Sequence, residues 1–144
     1  MECKAILLVE DNPSDVELTK RALSKSHVVN EMIVVEDGQE AIDIFFGNGK
    51  TEAIKTLPTV VLLDLKLPKV DGLEVLRRIR AHERTKLLPV VILTSSRAEQ
   101  DIINSYKLGA NSYIQKPVDF NQFVEAIKNL GLYWLVLNEP PPLK

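Results

Sequence analysis

Short apolar segments alternate with amphipathic segments along this chain, and this alternation constrains the fold more than any other feature. The apolar runs are residues 5–9, 60–63 and 90–93, with weaker versions at 32–35 and 112–114. Continuous runs of this length, rich in Val and Ile, are typical of strands that are covered on both faces, as in parallel sheets.

The segments between the runs carry the signals of helices. Asn12-Pro13 places a capping residue before a proline at the first helical position. After each predicted helix start, apolar residues recur at helical spacing, and the longest such stripe runs from Phe120 to Trp134. Four further starts resemble capping boxes or their Asp variants: Asp37 to Glu40, Asp71 to Glu74, Ser96 to Glu99 and Asp119 to Gln122.

Five successive strand–helix units predict an α/β fold with helices on both faces of a parallel sheet. They match the doubly wound, flavodoxin-like order 2-1-3-4-5 with five helices. We expect one domain over residues 1–137 and a Pro-rich tail over 138–144. The stretch 47–57 is a long connection, which is either flexible or holds a short helical turn.

Composition excludes several classes of protein. Lys and Arg total 18 and Asp and Glu total 20, so nothing indicates a basic surface for nucleic acid. No apolar run approaches the roughly 20 residues that span a bilayer, and the first residues lack the layout of a signal peptide. The single cysteine, Cys3, excludes an internal disulfide. We expect a cytoplasmic protein that binds neither nucleic acid nor membrane.

Polar side chains follow four of the predicted strands. Glu10 and Asp11 end the first run, Asp64 the third and Thr94 the fourth, and Lys116 follows the fifth. The carboxyl ends of parallel strands share one edge, where open α/β sheets bind ligands. We therefore expect these groups to converge on one small site.

The chemistry of these groups favours phosphoryl transfer assisted by a divalent cation. Clustered carboxylates repel one another, and a bound cation removes that cost. Oxygen ligands favour Mg²⁺, Mn²⁺ or Ca²⁺, and a site that takes a phosphoryl oxygen suits Mg²⁺, with Mn²⁺ as an alternative. A carboxylate can form an acyl phosphate, while a hydroxyl and an ammonium neutralise the phosphoryl oxygens.

Five motifs, in order along the chain, resemble those of the receiver domain of response regulators in two-component signalling. The resemblance covers about residues 4–130, and the motifs occupy residues 9–12, 63–72, 93–96, 109–110 and 116–117. It implies that Asp64 accepts phosphate from a kinase phosphohistidine. It also implies that Asp11 binds the metal directly, that Glu10 binds it through water, and that the backbone carbonyl of Lys66 is a further ligand.

The resemblance assigns roles around the phosphoryl group as well. Thr94 and Lys116 match the pair that contacts it. Tyr113 matches the aromatic switch that turns inward with Thr94 on activation. The bond from Lys116 to Pro117 resembles the cis peptide of the family, which aims the lysine into the site.

Two positions tune the lifetime of the phosphoryl group in this family, and Lys66 and Ser96 occupy them here. A lysine at the first is a departure from the commoner choices. We expect Lys66 to alter the hydrolysis rate, because a cation beside the phosphoryl group shields it from water.

We expect no output domain after the fifth predicted helix, so the chain resembles stand-alone receivers that modify only themselves rather than an external substrate. Residues 133–141 are similar to the ending of receivers paired with bacterial phytochromes and related hybrid kinases. The expected partners are a sensor histidine kinase and a second copy of the chain. The copy would bind through the face of helix 4, strand 5 and helix 5 and through the tail.

Three other functions compete with this one. A phosphohydrolase with an aspartyl nucleophile often carries a second acid where Lys66 stands, and the chain has no inserted cap to bind a substrate. A constitutive interaction module would not need the full set of polar strand-end residues. A flavin site would need a Gly- and Ser-rich loop where Asn12-Pro13-Ser14 stands.

Overall fold

The computed structural model describes residues 5–26, 31–116, 119–132 and 139. Strands and helices alternate throughout. The strands are β1 (Ala5–Val9), β2 (Glu31–Val35), β3 (Val60–Leu63), β4 (Val90–Thr94) and β5 (Ser112–Gln115). The helices are α1 (Pro13–Ser26), α2 (Gly38–Phe46), α3 (Gly72–Ala81), α4 (Glu99–Lys107) and α5 (Phe120–Leu132).

The five strands form one parallel sheet in the order β2-β1-β3-β4-β5, which confirms the predicted order. The register aligns the strand ends, since Val9 of β1 pairs with Val35 of β2 and with Leu63 of β3. The residues that follow these strands therefore start from the same edge of the sheet.

Alternate residues of each strand feed two separate apolar cores. Leu7 and Ile92 belong to the core that includes Phe45 of α2 and Ile79 of α3. Their neighbours along each strand belong to the second core, on the face of the sheet that α1 and α5 cover. The members of this second core are Ile6, Leu8, Ala22, Leu23, Val60, Leu62, Val91, Leu93, Phe123 and Ile127. Because both faces of the sheet are covered, the strands read as continuous apolar runs.

Side-chain caps form at four of the five predicted helix starts. Asn12 Oδ1 accepts hydrogen bonds from the amides of Ser14, at 2.9 Å, and Asp15, at 3.2 Å. The other three caps each accept from the amide three residues on: Asp37 from Glu40 at 2.8 Å, Asp71 from Glu74 at 3.0 Å and Asp119 from Gln122 at 3.0 Å. Local sequence therefore determines where these helices begin.

The capping box predicted at Ser96 is wrong. Helix α4 begins at Glu99, and its N-cap residue, Ala98, makes no side-chain capping bond. Ser96 lies too early to close this first turn, and its hydroxyl instead donates to Asp101 Oδ2 at 2.6 Å. A hydroxyl three residues before an acid fits the pattern of a capping box, but here it bonds to the acid at position 101.

The long connection at 47–57 contains no helical turn. A guanidinium from the turn after α3 holds it to the body of the domain. Arg84 donates to the carbonyl of Phe45 at 3.2 Å, to that of Lys55 at 3.1 Å and also to that of Ile54. The predicted alternative of a helical turn is therefore wrong.

Some predictions concern residues that lie outside the described part of the chain. These are the domain boundary at 137, most of the tail over 138–144 and the peptide bond before Pro117. They stay predictions. Among the described helices, none combines the length and the hydropathy that crossing a membrane requires.

Glycine at position 72 lets α3 start against the backbone that carries Asp64. A Cβ there would lie 2.2 Å from the carbonyl oxygen of Asp64 and 2.7 Å from the Cα of Leu65.

We expect Gly72→Ala to lower the free energy of unfolding by roughly 1–3 kcal/mol, because backbone atoms have no room to yield. Urea unfolding measures this. Asn129→Ala, at an exposed position of α5, is the control and should change stability by less than about 0.5 kcal/mol; equal effects would contradict the steric argument.

Candidate functional site

The polar side chains predicted to converge do so at the carboxyl edge of the sheet. Thr94 Oγ1 donates to Asp64 Oδ1 at 2.7 Å. Lys116 Nζ donates to Asp64 Oδ2 at 3.2 Å and also to Glu10 Oε1. Asp64 therefore has a neutral donor on one carboxylate oxygen and a cation on the other.

Backbone hydrogen bonds that continue past the strand ends fix these positions. The amide of Asp64 donates to the carbonyl of Val9 at 3.1 Å, and that of Glu10 to Val35 at 3.0 Å. The amide of Lys116 donates to the carbonyl of Thr94 at 2.8 Å. The register of the sheet thereby places side chains from four strand ends around one point.

Burial and charge shift the acid–base properties of two groups at the site. Glu10 is 2% exposed, and this burial raises its pKa from 4.5 to about 7. The hydrogen bond and the charge of Lys116 oppose the shift only in part, and the charge of Asp64 adds to it. Burial alone lowers the pKa of Lys116, but its hydrogen bonds to Glu10 and Asp15 and the charges of Glu10 and Asp64 together raise that pKa.

The acids of the site fit a hard divalent cation. One carboxylate oxygen from each of Glu10, Asp11 and Asp64 lies within 4.8 Å of the others. Asp11 is exposed, so a cation there can keep water ligands. All-oxygen ligation with retained water is the coordination that Mg²⁺ prefers, and Mn²⁺ accepts the same donors. The backbone carbonyl of Lys66 as a further ligand stays a prediction.

One member of the site, Asp15, was missed by the sequence analysis. Its Oδ2 lies 2.9 Å from Lys116 Nζ, and its side chain is 27% exposed. We treated the segment after Asn12 only as a helix start. The first turn of α1 nevertheless begins at the end of β1, so an acid there is placed beside the carboxyl edge, and this proximity is the signal that could have revealed it.

The predicted switch residues lie on the side of the site nearest α4. Thr94 is fully buried and Tyr113 is half-buried. The Tyr113 hydroxyl donates to the backbone carbonyl of Ser96 at 3.0 Å, and the Ser96 amide donates to Thr94 Oγ1 at 3.4 Å. Both switch residues thus contact the loop between β4 and α4.

The predicted tuning residue Lys66 points its ammonium toward α4. Lys66 Nζ lies 3.6 Å from Asp101 Oδ2, and its side chain is 72% exposed. Its backbone amide donates to Asp64 Oδ1 at 3.3 Å. Lys66 therefore contacts the central carboxylate through its backbone and an acid of α4 through its side chain.

Comparison with known proteins identifies the family. The profile of the response regulator receiver domain matches residues 6–128, which include every acid and base of the site. The chain belongs to the response regulator receiver family. The predicted resemblance and fold class are confirmed.

Three relatives show where this receiver lies within its family. The crystal structure of the phosphorylated cyanobacterial phytochrome response regulator RcpA has 40% identity and a TM-score of 0.90, covering 98% of this chain and all of that one. The structure of the bacteriophytochrome response regulator RtBRR has 54% identity and a TM-score of 0.76, and the match covers 98% of this chain and 86% of that one. Response regulator Rcp1 of Synechocystis is 38% identical over 132 residues, which are 92% of this chain and 89% of Rcp1. The crystal structure of the Mn²⁺-bound form of response regulator Rcp1 has 37% identity and a TM-score of 0.89, and the match covers 96% of this chain and 99% of that one.

The buried acid Glu10 predicts a pH dependence of stability in the metal-free receiver. Between its ordinary pKa of 4.5 and about 7, the unfolded chain loses the Glu10 proton while the folded chain keeps it. Glu10 therefore contributes less stability as pH rises through this window. We therefore expect the thermal midpoint of Glu10→Gln, minus that of the wild type, to increase by a few degrees between about pH 5 and about pH 8.

Thermal unfolding in EDTA measures the difference between variant and wild type at each pH. Glu17→Gln is the control, because the side chain of Glu17 is 62% exposed. Its difference from wild type should be flat with pH. A flat difference for Glu10→Gln as well would contradict the raised pKa of Glu10.

Proposed function

We propose that this receiver accepts a phosphoryl group onto Asp64 from the phosphohistidine of a sensor histidine kinase. The observation that carries the proposal is the surroundings of the Asp64 carboxylate. It is buried, it accepts from Thr94 and Lys116, and it lies beside Glu10 and Asp11. A nucleophile, two phosphoryl-binding groups and two further metal ligands are the groups this transfer requires.

In the proposed transfer, an oxygen of Asp64 forms a bond to phosphorus. The bond between phosphorus and the histidine nitrogen breaks, and its electron pair stays on the imidazole nitrogen. Lys116 and Thr94 already contact the Asp64 carboxylate and would bind the phosphoryl oxygens next to it. A Mg²⁺ ion held by Glu10, Asp11 and Asp64 would supply positive charge to offset that of the incoming group, and the Mn²⁺-bound form of Rcp1 supports such a site.

Phosphorylation would signal through the loop between β4 and α4. Thr94 now donates to Asp64, and Tyr113 donates to Ser96 of that loop. A phosphoryl oxygen would replace Asp64 Oδ1 as the acceptor for the Thr94 hydroxyl, and the loop that Tyr113 contacts would move with Thr94. The face formed by α4, β5 and α5 would then shift between two states, each with its own affinity for a partner.

The names of the relatives support a kinase of the phytochrome type as phosphodonor, since RcpA and RtBRR are phytochrome and bacteriophytochrome response regulators. In this proposal the protein acts in the cytoplasm as a stand-alone receiver, with the kinase and a second copy of itself as partners. It catalyses its own phosphorylation and dephosphorylation and turns over no external substrate.

Incubation with Mg²⁺ and acetyl phosphate, followed by intact mass spectrometry, tests the acceptor. We expect one added phosphoryl group on the wild type and none on Asp64→Asn, because the amide cannot form the acyl phosphate. EDTA should prevent the addition. Asp71→Asn, at the exposed cap of α3, is a matched control that should still be phosphorylated.

A group that also appears on Asp64→Asn would place the acceptor elsewhere. If the wild type shows no added group, beryllofluoride separates fast hydrolysis from a silent site. Binding of beryllofluoride by wild type alone supports Asp64 as acceptor. Absence of binding would leave the constitutive interaction module as the function.

Two apolar side chains of α4 are candidates for the contact between copies. Ile103 is 40% exposed and Tyr106 is 51% exposed, on the face expected to shift. We expect Ile103→Glu to weaken the association of the beryllofluoride-treated receiver by roughly tenfold, because a buried unpaired charge is costly. Sedimentation velocity measures the association.

Leu87→Glu is the control for that experiment, because Leu87 is 63% exposed in the turn before β4 and is not part of the α4 face. Its association should equal that of the wild type. Equal association of all three proteins would exclude this face as the dimer contact.

A further inference from the structure

Asp64 is joined to α4 by a closed ring of contacts. On one side, Thr94 donates to Asp64 at 2.7 Å, the Ser96 amide donates to Thr94 at 3.4 Å, and the Ser96 hydroxyl donates to Asp101 at 2.6 Å. On the other side, the Lys66 ammonium lies 3.6 Å from Asp101, and the Lys66 amide donates to Asp64 at 3.3 Å. Asp101 is the only member of this ring that lies on a helix.

The carboxylate of Asp101 is committed to the ring. Its Oδ2 receives both the Ser96 hydroxyl and the Lys66 ammonium, and its side chain is 18% exposed. An acid in the first turn of a helix commonly caps the free amides there. Here the carboxylate instead contacts Lys66, two residues after Asp64, and Ser96, two residues after Thr94.

We propose that Asp101 is a positioning residue that sets the lifetime of the phosphoryl group on Asp64 through its hold on Lys66. This rests on the proposed function, because it requires the acyl phosphate to form. Lys66 is two residues from the acceptor, and a phosphoryl group brings up to two negative charges against the single charge of Asp101. The two anions compete for one ammonium.

The exposure of Lys66 makes this competition reversible. Its side chain is 72% exposed, so the ion pair with Asp101 is weak and the ammonium can exchange between partners. The more firmly Asp101 holds Lys66, the less time the ammonium spends at the phosphoryl group. Asp101 thereby links the position of α4 to the protection of the acyl phosphate.

Hydrolysis is the step that this competition affects. The oxygen of a water molecule forms a bond to phosphorus as the bond between phosphorus and the Asp64 oxygen breaks. The electron pair of that bond stays on the Asp64 carboxylate, and the protons of water pass to phosphate and solvent. An ammonium lying against the phosphoryl group occupies space that the attacking water needs, so release of Lys66 by Asp101 slows the reaction.

The experiment measures release of inorganic phosphate from the full chain after phosphorylation with acetyl phosphate and removal of the donor. We expect Asp101→Asn to lengthen the half-life about two- to fivefold, the range that an exposed ion pair is worth. Asparagine keeps an oxygen for the Ser96 hydroxyl, so the substitution isolates the charge that Lys66 senses. Asp101→Glu, which restores the charge, should return the half-life toward that of the wild type.

The route through Lys66 is tested by a double-mutant cycle. Lys66→Gln alone should shorten the half-life, and in that background Asp101→Asn should have no further effect. Glu99→Gln, an exposed acid in the same first turn, controls for the charge at the helix start and should leave the half-life unchanged. Thermal unfolding of each variant verifies that it is folded.

Two results would overturn the role of Asp101. One is an unchanged half-life in folded Asp101→Asn. The other is the same change with and without Lys66, which would show an effect that bypasses the lysine. If the wild type forms neither a phosphoryl nor a beryllofluoride adduct, the proposed function itself fails, which distinguishes that failure from a failure of Asp101 alone.

Discussion

The Lys116 ammonium is the interaction on which the site depends. It bonds to Glu10, Asp15 and Asp64, which come from the ends of two strands and the first turn of a helix. Without it, the nearly buried carboxylates of Glu10 and Asp64 would lie together with no other side-chain cation hydrogen-bonded to either among the described residues. Removing one partner of a buried pair costs roughly 3–5 kcal/mol, because the remaining charge is uncompensated. One side chain just after β5 therefore permits the acids just after β1 and β3 to lie close together.

In the proposed function, the same contacts prepare the site for an incoming phosphoryl group. Lys116 and Thr94 are held against Asp64 before any phosphoryl group arrives, so little reorganisation is required when it binds. These contacts also have a cost, since each must be exchanged for a contact with the new group. The exchange at Thr94 is the one that reaches the surface, because Ser96, Tyr113 and α4 are all connected to it. In the proposed function, phosphoryl binding and signalling are therefore two consequences of one rearrangement.

Local patterns predicted the fold well because their physical causes are local. Asp37 and Asp71 begin helices by bonding to amides three residues away, and no distant contact is needed. The prediction at Ser96 failed because the helix starts later than the local pattern indicates. Helix α4 begins at Glu99, so the Ser96 hydroxyl accepts from the Ala98 amide before the helix and donates to Asp101 inside its first turn, where Tyr113 of β5 also holds the Ser96 carbonyl.

The sequence by itself determined the five strand–helix units, the parallel sheet and the shared edge of Glu10, Asp64, Thr94 and Lys116. Apolar periodicity and the geometry of parallel strands require these features wherever the units pack. Only the tertiary structure decided which partners each charge takes. Asp15 joins Lys116, and Asp101 joins Lys66 and Ser96, because the packing of α1 and α4 against the sheet sets distances that no spacing along the chain encodes.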